Sequence, residues 1–342
     1  MTEDDIDLDD REGLLVYADL LQQRGDPRGQ LIVLQHSGSA DAERAHLAAH
    51  PELFADIARL GRFTWGLGFI AAAELTDCTR DEVARVLAHP SCRFLRELSI
   101  AAGHDAMPRA LVAIGHPHVR SLVVEQRLIG DDDTTWQEDW GLIGVDPAMD
   151  VFDARHLHAS ASALFTRLPR LERATVTGWD LFSSIASASL RELVVRDGSP
   201  TCRRGTRLDL PALERLAWHY RTDNTGTGVD VDPDEDLAWL WRAELPALRH
   251  LDLSGALFAA WVTQPILDVR PLRELAARLE TLWLPGNALG EHDDAVLAQL
   301  AAHALSLRHL RELGITQPRR ATGELAARVA KLLPNVRWLE AT

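Results

Sequence analysis

Apolar residues recur along this chain in one short phrase: an apolar residue, two variable positions, an apolar residue, one variable position and a third apolar residue. The clearest copies are Leu248-Arg-His-Leu251-Asp-Leu253 and Leu279-Glu-Thr-Leu282-Trp-Leu284. The last two apolar positions of each alternate with polar ones, the pattern of a short strand buried on one face and open on the other. Further copies begin at Leu95, Val119, Leu171, Leu190, Leu213 and Leu310, and a final one at Val336-Arg-Trp338-Leu339. The first positions are 24, 52, 19, 23, 35, 31, 31 and 26 residues apart. Helical spacing fills several intervals. Thr79-Arg-Asp-Glu82 forms a capping box ahead of Val83, Val86 and Leu87, and 291–305 places Val296, Leu297, Leu300 and Ala304 on one face. A further helix is predicted over 323–333, behind Thr322.

The copy at Leu279 runs on through Pro285-Gly-Asn287-Ala-Leu289 and so completes the L-x-x-L-x-L-x-x-N-x-L signature. With it the chain resembles the leucine-rich repeat proteins. That resemblance implies an α/β solenoid, a horseshoe with a parallel concave sheet and convex helices, similar to the ribonuclease-inhibitor type. One such unit cannot bury its apolar face alone, so the units must stack. Only Asn287 fills the ladder position, which implies a curvature less regular than the family norm.

Ahead of the phrases the pattern is different. Leu14, Tyr17, Ala18 and Leu21 form one helical stripe, Gly25 is placed to end that helix, and Asp26-Pro27 to begin a second carrying Leu31, Ile32, Leu34 and Gln35. The Tyr17-Ala-Asp and Arg24-Gly-Asp-Pro-Arg-Gly29 words over roughly residues 10 to 36 resemble the repeat-companion domain. That module precedes leucine-rich repeats in planctomycete and myxobacterial proteins. The resemblance implies a bacterial source and a helical cap without activity; the residues at Leu20 to Gln23 depart mildly from its pattern. The predicted organisation is a helical cap over 1–60, with helix continuing through 41–60, and a solenoid over 61–342. Its first strand is a single atypical one over Trp65–Leu75, similar to the Trp-x-x-Gly-Phe segment that opens such arrays. Two acidic insertions interrupt it near 125–153 and 220–244. The first holds nine acids against one arginine.

A net charge of −15 argues against nucleic-acid backbone as a partner. The acidic N-terminus offers no secretory signal, and the longest nearly apolar stretch, Leu67 to Leu75, is too short to span a bilayer. Cys78, Cys92 and Cys202 are scattered without metal or redox spacing, which fits a reducing cytoplasm. The aspartate runs at 131–133 and 230–236 lack the glycine and distal glutamate of a calcium loop. His116-Pro-His118 and His156-Leu-His158 have two-ligand spacing but no third ligand nearby in sequence. No nucleophile elbow, phosphate loop or dinucleotide glycine pattern is present, so no catalytic residue, metal or cofactor is expected.

Binding is the expected function. The variable positions of each phrase face outward, and they offer Arg196, Arg215, His219, His250, Asp252, Trp283, Glu312 and Trp338 as partner-binding residues. The expected partner is another protein with a basic patch, steered by the acidic insertion. The strand from Val336 to Glu340 is expected to leave an uncapped edge that invites self-association. The function expected from the residues is a non-catalytic interaction scaffold. Alternatives are a sensing or regulatory subunit of a bacterial signalling or defence assembly, and an unrecognised metal-dependent hydrolase using the histidine pairs.

Overall fold

The computed structural model describes residues 10–103, 106–127, 162–178, 182, 184–196, 207–219, 238–255, 266–285, 289, 293–316 and 323–339. Asn287, Cys202, the second histidine pair, Thr322, Glu340 and residues 128–153 and 220–237 of the two acidic insertions lie outside that set.

The chain opens with helices α1 (Arg11–Gln23), α2 (Pro27–His36) and α3 (Ala40–Ala49). Asp10 caps α1 by accepting from the Glu12 and Gly13 amides, and Asp26 caps α2 by accepting from the Arg28 amide, with Pro27 in the first turn. Between them Gly25 takes φ +73°, a conformation open to glycine and strained for other residues. Leu14, Tyr17, Ala18 and Leu21 are buried, as their spacing predicts. At Gly29 a Cβ would lie 2.5 Å from the Ala18 carbonyl oxygen, so the two helices cross at backbone contact. Helix does not continue to residue 60: Pro51 ends it, and two 3-10 turns, Pro51–Leu53 and Ala58–Leu60, follow.

The single strand expected at Trp65–Leu75 is instead a hairpin. β1 (Gly61–Gly66) and β2 (Phe69–Thr76) pair antiparallel around Leu67 and Gly68, both with positive φ. Gln35 of α2 accepts from the Gly68 amide at 2.7 Å, and a Cβ on Gly68 would strike Ile32 at 2.4 Å. Helix α2 therefore seats this turn.

Beyond the hairpin, each phrase supplies one strand: β3 (Glu97–Gly103), β4 (Ser121–Arg127), β5 (Arg173–Thr177), β7 (Glu192–Arg196), β9 (Arg215–His219), β10 (His250–Asp252), β11 (Thr281–Leu284), β12 (Glu312–Thr316) and β13 (Val336–Leu339). With β1 and β2 they make one eleven-stranded sheet, parallel throughout except for the hairpin, in which neighbours follow chain order. Two more short strands, β6 (Ser184–Ala186) and β8 (Arg207–Asp209), pair with each other in a separate parallel sheet. Helices α4 (Arg80–Ala88), α5 (Met107–Ala113), α6 (Ala238–Arg242), α7 (Arg270–Ala276), α8 (Asp293–Leu307) and α9 (Gly323–Leu332) lie between strands. Helix α4 is held by the full capping box of Thr79 and Glu82. The fold is thus mixed α/β around a large, mostly parallel sheet. Among the described residues no helix is long and apolar enough to cross a membrane.

The registers stack like on like. Leu98, Leu122, Ala174, Leu193, Leu216, Leu251, Leu282 and Leu313 sit opposite one another from strand to strand. All are buried, in one hydrophobic cluster that runs from Ile57 to Leu333. Each added strand covers the apolar edge of the one before, so burial accumulates along the sheet rather than around a centre.

Candidate functional site

The other face of the sheet is the candidate site, because there the registers align side chains that point away from the core. The alternation is visible in burial: along Ser121–Arg127 every second residue is buried and the others are not. Three rows of outward residues result. A leading row runs Glu97, Ser121, Arg173, Glu192, Arg215, His250, Thr281, Glu312. The middle row runs Ser99, Val123, Thr175, Val194, Ala217, Asp252, Trp283, Gly314, Arg337. A trailing row holds Ala101, Glu125, Thr177, Arg196 and His219.

Seven of the eight residues singled out in the sequence fall on these rows: Arg215, His250 and Glu312 in the leading row, Asp252 and Trp283 in the middle, Arg196 and His219 in the trailing one. Trp338 does not. The pairing of β12 with β13 sets Val336 against Leu313 and Trp338 against Ile315, a core position. The last phrase therefore begins at Leu333, not Val336, and Trp338 packs half-buried against the core. Arg337 and Leu339 take the outward places. The clue in the sequence was Leu333-Pro-Asn-Val336, which restores the two-residue gap of every other copy.

Trp283 faces outward but is largely covered by its own chain. A Cβ at Gly314 would lie 2.6 Å from Trp283 Cδ1 and 2.9 Å from Leu339 Cδ1. The indole thus lies across Gly314, which Leu339 also approaches, and its buried Nε1 has no hydrogen-bond partner among the described residues. Next to it, the Asp252 carboxylate is fully engaged. It accepts from the Ser254 amide at 2.8 Å, the Ser254 hydroxyl at 2.6 Å and His219 Nε2 at 3.0 Å. Burial raises its pKa, but the hydrogen bonds from His219 and Ser254 more than offset this and hold it below the usual carboxylate value. On the leading row, His250 Nδ1 meets the Thr281 hydroxyl at 2.9 Å. Burial, aided by the Arg215 charge, lowers its pKa from the usual imidazole value.

Arg173, Arg196 and Arg215 differ from these. All three are exposed, and none pairs with a carboxylate among the described residues. The residues just before the strands are the ones that neutralise each other, Arg120 with Glu172 at 3.9 Å and Arg191 with Glu214 at 2.9 Å. Glu172, Arg173, Arg191, Glu192, Glu214 and Arg215 line an open cleft of about 350 Å³ at this edge.

The pair His116 and His118 serves the fold. His116 is buried, donates from Nε2 to the Cys92 carbonyl at 3.0 Å and accepts at Nδ1 from the His118 amide. Burial presses its pKa down to about 4. Cys92 is buried too, and burial pushes its thiol up to about 12. Among the described residues, no three His, Cys, Asp or Glu side chains come together as a metal site would require. No protein-family model matches the chain, and no curated protein matches it either.

Proposed function

We propose that this chain is a leucine-rich-repeat solenoid, introduced by a repeat-companion-like helical cap, and that it works without catalysis as a protein-recognition scaffold. The reading is supported by the open sheet face. Nine copies of one phrase stack in register there, so an ordered array of outward side chains stands on a framework whose backbone hydrogen bonds are already paired. The single observation that carries it is the contrast across the sheet. One face is a continuous buried cluster, while the other holds exposed arginines over the small neutral side chains of Thr175, Val194 and Ala217. A chemical role for the His219–Asp252 pair finds little support, because the carboxylate is spent on Ser254 and His219.

A photo-crosslinking amino acid at Val194, compared with one at the exposed helix position Ala301, tests this in native extract. A protein captured through position 194 and not through 301 is the expected result. Capture through neither position, or equally through both, would remove the sheet face as the site.

A further inference from the structure

The middle of the open face has a charge pattern that names the chemistry of its partner. Arg173 and Arg215 stand on the leading row of β5 and β9, and Arg196 stands on the trailing row of β7. Between the rows lie Val194 and Ala217, adjacent in register and both partly exposed. Glu192 sits between the two leading arginines and offsets one charge, while the Asp252 carboxylate on β10 is held by hydrogen bonds from His219 and Ser254. Among the described residues, the outward positions of β5, β7 and β9 thus carry three arginines against one carboxylate, Glu192. From Arg215 to Arg196 is four residues along the strand direction, about 13 Å, and one strand across, about 14 Å in all. To the N-terminal side the charge reverses: Glu74, Glu97 and Glu125 are all exposed on β2, β3 and β4.

We propose that this section of the face docks an extended acidic segment of a partner protein, in which two carboxylates four residues apart flank an apolar side chain. The inference rests on the recognition role above and specifies its ligand. In an extended segment residues i, i+2 and i+4 share one side at about 13 Å from first to last, which matches the two arginine rows with the neutral floor between them. Guanidinium groups held over such a floor bind carboxylates by paired N–H donors. The acids of β2 to β4 repel the same segment and so fix it over β5 to β9. The partner chemistry is the reverse of the basic patch expected from net charge alone. Much of the negative charge belongs to 1–9, 128–161 and 220–237, which between them hold nineteen acids and two arginines.

The test is selection of a random heptapeptide phage library on the immobilised full-length chain. It is run in parallel on wild type, on Arg196→Glu/Arg215→Glu and on Val194→Lys, each checked for native circular dichroism. Wild type is expected to enrich peptides with Asp or Glu at positions i and i+4 around an apolar residue. Their affinity, read by fluorescence anisotropy, should fall roughly tenfold or more on the double variant and weaken with salt. No enrichment, acidic peptides that bind the double variant equally, or a preference for phosphoserine over glutamate in the selected peptides would overturn the inference. So would concentration-dependent self-association abolished by the same double variant, which would make the occupant a second copy of this chain. Enriched peptides without acids that are nonetheless lost on Val194→Lys would remove the acidic ligand and leave the docking face standing. Ligands indifferent to both sets of substitutions would remove the face itself.

Discussion

On β7 and β9 the outward Arg196 and Arg215 are exposed, with the small residues Val194 and Ala217 between them. Across β11 to β13 the same outward positions collapse onto each other, with the Trp283 indole laid over Gly314 and braced by Leu339. The inward face of both sections is the same leucine ladder. What separates them is the size of the neighbour one strand away. A glycine leaves a trough that a tryptophan fills, whereas Val194 beside Ala217 leaves no such trough, and both stay partly exposed. An aromatic residue at an outward position is therefore no guide to a binding site until its neighbours in register are known.

The largest expected effect tests whether the two sections share one framework. Leu216→Ala and Leu313→Ala each remove a fully buried side chain from the ladder and should each cost about 2–5 kcal/mol in urea unfolding. A much smaller cost at Leu313 would show that the C-terminal section is not packed as the middle is.

Next in size is a pH effect confined to the framework. The folded pKa of His116, about 4, lies below its ordinary value of about 6.5, so stability is intact above pH 6.5 and declines as the pH falls toward 4. The full loss is about 3 kcal/mol, and His116→Gln should flatten the slope measured by denaturant unfolding.

Gly314→Ala sharpens the comparison directly. The added methyl meets the indole at 2.6 Å and should cost about 1–3 kcal/mol by overpacking. Most of that cost should vanish in a Trp283→Ala background, a non-additivity read by a double-mutant cycle. Full additivity would show that the two residues do not touch.

The smallest effect lies on the surface. Arg191→Ala breaks an exposed ion pair with Glu214 and should cost about 0.5 kcal/mol or less at moderate salt, while Arg215→Ala, with no such pair among the described residues, should leave unfolding unchanged.

Where strands occur was legible without the structure, because a period of two with leucine at the buried positions is a local property of the chain. Each phrase became a strand, and the outward position of Arg196, Arg215, His219, His250, Asp252, Trp283 and Glu312 followed from it. The helix caps at Asp26 and Thr79 were equally readable, since capping is decided within four residues. The tertiary structure alone decided three other matters. One was the hairpin turn at Leu67-Gly68, where leucine accepts a positive φ because α2 seats the turn through Gln35 and Ile32. Another was the register of β13, which a spacing count misplaced and which turned Trp338 from ligand contact to core. The last was which outward charges are already satisfied: Asp252 is, through residues on β9 and beyond β10, while Arg196 and Arg215 meet no carboxylate among the described residues. Local periodicity determines which way a side chain points. Whether it is then covered or paired depends in part on near neighbours, as Ser254 serves Asp252, and in part on residues some thirty positions away, as His219 meets Asp252 and Gly314 underlies Trp283, which only the stacked strands bring beside it.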